Sequence, residues 1–222
     1  DEILLRNHYR CNKKIIDFNN KKYYNSKLQV QSDSRERQPL VYVNVDGGPG
    51  DMKNTSPAEV EEIMRYAGEN PDKSIAVITP FVNQRILIER GINENGFEHV
   101  VCGTVHAFQG DEKDVVLFST ALSDRTGKGT YDWLKNNKEL INVATSRAKD
   151  KLILLADGKE LERLHQGNED DDLYELVQYV KTNGESKITE KHISSRALGI
   201  QPFSTETEAA FMKNLTHALE NI

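Results

Sequence analysis

No apolar run in this chain approaches the roughly 20 residues that a membrane-crossing helix needs, and no charged-then-apolar leader opens it. No membrane partner is expected. Cysteine is nearly absent: Cys11 and Cys102 stand alone, without the paired spacing of a metal site or a disulfide framework. The expected setting is therefore the reducing cytoplasm. The six histidines (8, 99, 106, 165, 192 and 217) are scattered, and none forms a helical metal pair, so no metal site is expected in the chain itself. Net positive charge is missing too. The chain carries −6 at pH 7, but the imbalance sits in the tail. Residues 1–160 hold 23 Lys and Arg against 24 Asp and Glu, whereas residues 161–222 hold 6 against 11. A local cationic groove in the body is compatible with this balance, because phosphate binding depends on local charge.

What is present fits one sizeable globular core: 222 residues, 37% hydrophobic and 29% charged. Strands are predicted at 3–5, 40–45, 74–79, 99–105, 115–120 and 151–156, and runs such as IAVIT and KLILLA hardly alternate, as in strands covered on both faces. Helices are predicted over 12–24, from a capping box at Ser56-Pro57-Ala58-Glu59 onward, over 82–95 and over 132–149. Gln31–Gln38 and Asp46–Thr55 read as loops. Strands alternating with helices predict right-handed crossovers and a doubly wound α/β fold, a mostly parallel sheet with helices on both faces. Such sheets bind ligands at the carboxyl ends of their strands. The organised body is placed at 1–157. Residues 158–222 read as a mostly helical acidic tail with the character of a linker to a further domain. It carries a helix near 171–181, a polar stretch at 182–196 and an amphipathic helix from Thr205 whose stripe (Phe211, Leu215, Ala218, Leu219, Ile222) needs a partner. The chain opens at Asp1, without a methionine, directly into a structured pattern, and a longer parent chain is expected.

Four motifs stand in order. His8-Tyr9-Arg10 is followed by Phe18-Asn19-Asn20 and Tyr23-Tyr24. AVITPFVNQR occupies 76–85. GTVHAFQGDEKD occupies 103–114, and NVATSRAK runs from Asn142 to Lys149. Together they resemble the second, C-terminal RecA-like motor domain of superfamily 1 helicases, in the branch containing the nonsense-mediated-decay helicase and its bacterial relatives. The resemblance covers about residues 3–157. It implies a RecA-like fold of the P-loop NTPase type and a role in ATP-dependent movement along nucleic acid. Arg10 and Arg147 are then catalytic contacts to the γ-phosphate, because an arginine delivered from an opposing domain stabilises charge on the transferring phosphoryl group. Gly110 and Glu112 bind ATP, the glycine by close backbone approach and the carboxylate by accepting the ribose hydroxyls. Thr79, Thr104 and His106 contact the backbone of a single strand. In this family Leu-Thr usually precedes the late arginine; here Thr145-Ser146 stands in its place.

No G-x-x-x-x-G-K-[ST] phosphate loop occurs, since Gly127-Lys128-Gly129-Thr130 lacks its leading glycine and context. Nor does a strand end in the paired acids that would hold Mg²⁺. The chain is thus expected to supply half of a site for ATP with Mg²⁺, to be inactive alone, and to work with an N-terminal RecA-like domain of the same protein. DNA and RNA are not distinguished. One alternative is a helicase-like module that binds nucleic acid or protein without turnover, which the retention of Arg10, Glu112 and Arg147 counts against. Another is a nuclease, from Asp111-x-Lys113, but no upstream acid completes that signature.

Overall fold

The flat apolar runs become the centre of a sheet. In the computed structural model, which describes residues 7–8, 11–46, 52–104, 112–167 and 170–189, the chain forms β1 (Asn7–His8), α1 (Lys13–Tyr23), β2 (Gln29–Val30), β3 (Leu40–Asn44), α2 (Pro57–Glu69), β4 (Ile75–Ile78) and α3 (Val82–Asn95). It continues through β5 (Val100–Gly103), β6 (Lys113–Ser119), α4 (Lys128–Lys135), α5 (Lys138–Ser146), β7 (Ala148–Ala156), α6 (Gly158–His165), α7 (Asp172–Asn183) and β8 (Glu185–Ile188). Six strands make one sheet in the order β5-β4-β6-β7-β3-β8, and every pairing is parallel. Two cores cover its faces. One gathers Ile15, Phe18, Phe118, Tyr131, Leu140, Leu154 and Val177; the other gathers Val43, Ile63, Val77, Ile88, Leu117 and Ile153. This is the expected doubly wound RecA-like arrangement. Among the described residues no helix is long and apolar enough to cross a membrane.

Several boundaries differ from the sequence-based expectation. The helix predicted over 132–149 is two helices, because Asn137 leaves helical geometry and its side chain caps α5 by accepting from Leu140 N at 3.1 Å. Strand β7 then begins at Ala148, which makes Arg147 the C-cap of α5 rather than a residue inside a helix. The tail also contributes more than helices. β8 lies in the stretch read as polar, and it extends the sheet beside β3. Its residues are half-buried or exposed, so an edge strand here carries no apolar signature. The strand predicted at 3–5 and the helix from Thr205 lie outside the described residues.

The capping box is half made. Ser56 Oγ accepts from Glu59 N at 3.4 Å, but Glu59 does not return to the Ser56 N–H, which donates instead to Gln84 Oε1 at 2.8 Å. Glu59 turns inward, fully buried, and accepts from Ser119 Oγ at 2.6 Å and from Ala121 N at 3.0 Å. Gln84 Nε2 donates to Ser119 Oγ at 3.0 Å and completes the network. Burial pushes the Glu59 carboxyl up to about 8, against the pull of its hydrogen bonds to Ser119, Ala121 and Thr120.

Candidate functional site

Three motifs far apart in sequence meet at the amino edge of β6 and β7. Lys113 N donates to Arg147 O at 3.1 Å as the two strands begin, which sets Glu112 and Arg147 on neighbouring strand entrances. The Cys11 thiol donates to Ser146 O at 3.0 Å, and Asn12 N donates to Lys149 O at 2.8 Å. The chain directly after Arg10 is thereby held against the segment carrying Arg147. Arg10 itself, with His106 and Gly110, lies outside the described residues.

Helix α1 is fixed to α5 by the same motifs. Asn19 Nδ2 donates to Asn142 Oδ1 at 2.8 Å and to Thr145 Oγ1 at 2.6 Å. The Thr145 hydroxyl donates in turn to Ile141 O at 2.8 Å. Thr145 is fully buried where an apolar residue would be usual, and these bonds meet the cost of burying its hydroxyl. Next to it, Arg147 N closes α5 on Val143 O at 3.1 Å. The Arg147 Nε is buried and has no hydrogen-bond partner among the described residues. A buried guanidinium nitrogen without an acceptor is costly, and a phosphate oxygen is an acceptor of the right kind. Glu112, also half-buried, can accept from a ligand hydroxyl at the same edge.

The acids after Gly110 separate into different tasks. Asp114 accepts from Ser74 N at 3.0 Å and from Ser74 Oγ at 2.8 Å, clasping the start of β4 to the start of β6. Burial pushes the Asp114 carboxyl up, but the Ser74 hydrogen bonds outweigh this and hold it below the usual carboxylate value. Among the described residues no group of three His, Cys, Asp or Glu could hold a metal ion.

Thr79 and Thr104 stand at the opposite, carboxyl edge, where Thr79 N donates to Gly103 O at 3.2 Å. Thr104 is half-buried. Thr79 is fully enclosed, with no partner for its hydroxyl among the described residues, so its side chain is closed to a strand in this conformation. The expectation of one site at the carboxyl ends is therefore corrected: Glu112 and Arg147 occupy the amino edge, roughly 20 Å away by the rise of a seven-residue strand.

One carboxyl-edge feature escapes sequence reading. Trp133 is 52% exposed and lies against Phe81, ring centroids 6.1 Å apart. An isolated tryptophan in an amphipathic helix looks like core, and only the tertiary placement of α4 reveals it as surface.

Comparison with known proteins bears on the family. The chain is 28% identical over 216 residues to an uncharacterized ATP-dependent helicase of Methanocaldococcus jannaschii, covering 85% of this chain and 31% of that protein. It is 28% identical to the 3′-5′ exoribonuclease HELZ2 of Mus musculus, covering 71% of this chain and 7% of that protein. It is 27% identical to the regulator of nonsense transcripts 1 homolog of Drosophila melanogaster, covering 69% and 15%. The chain thus spans less than a third of the length of each. Residues 1–159 match the AAA_12 family, described as an AAA domain, and the chain belongs to that family, the C-terminal region of superfamily 1 helicases.

Proposed function

We propose that this chain is the C-terminal motor domain of an ATP-dependent nucleic-acid helicase or translocase. The observation that carries this reading is the amino-edge cluster, in which Lys113 N donates to Arg147 O and the Arg147 Nε has no acceptor among the described residues. ATP, when bound, supplies the phosphoryl group to be transferred. Arg147 and Arg10 hold its γ-phosphate and stabilise the charge that develops there. Glu112 accepts the ribose hydroxyls, and Gly110 is assigned to the nucleotide by its place in the same motif. The phosphate loop and the Mg²⁺ carboxylates belong to an N-terminal RecA-like domain, because this sequence contains neither.

Thr104 and His106, with Thr79 once its surroundings open, contact the backbone of a single strand at the carboxyl edge. Thr104 on the strand side and Glu112 on the nucleotide side belong to one sequence motif, so that closure on ATP shifts the grip on the strand. The test is hydrolysis by the 222-residue chain alone. It should turn over no ATP with or without a strand, whereas the two-domain enzyme should be stimulated by one. Robust turnover by the isolated chain would overturn the composite site.

A further inference from the structure

We propose that Trp133 is a base-stacking platform for a single nucleic-acid strand on the carboxyl edge; this rests on the strand reading above. Helix α4 is held from its other side: Tyr131 and Leu134 are buried, and Tyr131 OH donates to Asp171 Oδ2 at 2.7 Å. That anchoring leaves Trp133 facing outward at 52% exposure. Its ring is braced by Phe81, which is buried at 8% exposure and tilted by 45° at 6.1 Å. Phe81 is the second residue after Thr79, and Thr79 is hydrogen-bonded to Gly103 beside Thr104. The platform is therefore continuous with the edge assigned to the strand.

Its surroundings favour a base over a protein side chain. Trp133 opens onto a shallow groove of about 370 Å³ completed by Asn136, Asn137, Lys138 and Glu139. Amides suit base edges, a lysine suits phosphate, and every base offers a π-face to an aromatic ring. The exposed Val82 and Ile86 on α3 are the features that would suit a protein partner instead. A stacking contact needs no net positive charge, which this chain lacks.

Trp133 is the single tryptophan of the chain, so its emission reports on this ring alone. The experiment titrates the 222-residue chain with labelled oligo-dT, oligo-U and an abasic strand of the same length, following anisotropy and tryptophan emission together. Base-bearing strands should quench the emission and the abasic strand should not. Trp133→Ala should raise Kd by about 5- to 150-fold while leaving the slope of affinity against salt unchanged, and Trp133→Phe should retain most of the affinity. Strand binding with unquenched emission and unaltered Trp133→Ala affinity would overturn this assignment alone and point to a protein partner on the patch. No binding by anisotropy would reject the strand reading and, with it, the platform.

Discussion

Lys113 N donates to Arg147 O at 3.1 Å, and through this bond the entrance of β6 is tied to the C-cap of α5. The residue before Lys113 and the residue that accepts its hydrogen bond are the two described members of the proposed nucleotide half-site. Their spacing is thus set by a strand ladder rather than by a loop. Inward of a register shift after Lys113, that ladder continues through Val115 and Lys151 into the buried cores of β6 and β7.

Glu112→Ala should separate binding from chemistry. A contact to ribose hydroxyls is made equally in the ground and transition states, so its loss acts as uniform binding. In the two-domain enzyme, KM for ATP should rise by a larger factor than kcat falls. Steady-state kinetics check this, and an unchanged KM with a collapsed kcat would contradict the ribose role.

Glu59 should make stability fall as pH rises. Its folded pKa, about 8, lies above its unfolded value near 4.5. Between the two, the folded protein holds a proton that the unfolded chain releases. The stability this contributes is complete below about 4.5 and is lost as pH rises through about 8. Melting temperature should drop between about pH 5 and about pH 9, and Glu59→Gln should flatten the profile. Parallel profiles for the two proteins would show that Glu59 is ionised throughout.

Gly184→Ala should be costly. Gly184 ends α7, and an added Cβ would meet the carbonyl of Leu40 on β3. Overpacking of this kind costs about 1–3 kcal/mol, a loss of several degrees in Tm for a chain of this size. Gly129→Ala in α4, where a Cβ meets nothing within 4 Å, should be neutral or mildly stabilising. Thermal melts of both variants compare them directly.

The fold was legible where burial dominates and obscure where single polar residues decide. IAVIT and KLILLA announced strands covered on both faces, and the alternation of strands and helices led to the parallel sheet. The break at Asn136-Asn137 was missed, although asparagine is a favoured N-cap and Asn137 caps α5 locally through Leu140 N. β8 was hidden because an edge strand need not be apolar. Ser56 and Glu59 read as a reciprocal cap, but the Ser119 hydroxyl and the Ala121 amide drew in Glu59, and the side chain of Gln84 took the Ser56 N–H. At the site, the grouping of Arg147 with Glu112 followed from motif order. Their place at the amino edge did not, because it depends on which strand ends the cleft uses. Thr145 is the instructive departure: its hydroxyl makes sense only beside Asn19, 126 residues away in sequence.

Arg147 carries the central claim, and one comparison tests it most directly: kcat for ATP and melting temperature measured together for Arg147→Ala in the two-domain enzyme. A guanidinium facing the γ-phosphate matters most when charge shifts in the transition state. The substitution should lower kcat by a factor on the order of 10³ while nucleotide affinity falls far less and Tm barely moves. Arg147→Lys should rescue little, since a point charge does not reproduce the planar fork. A lowered Tm with kcat nearly intact would contradict the account and make Arg147 a structural cap of α5.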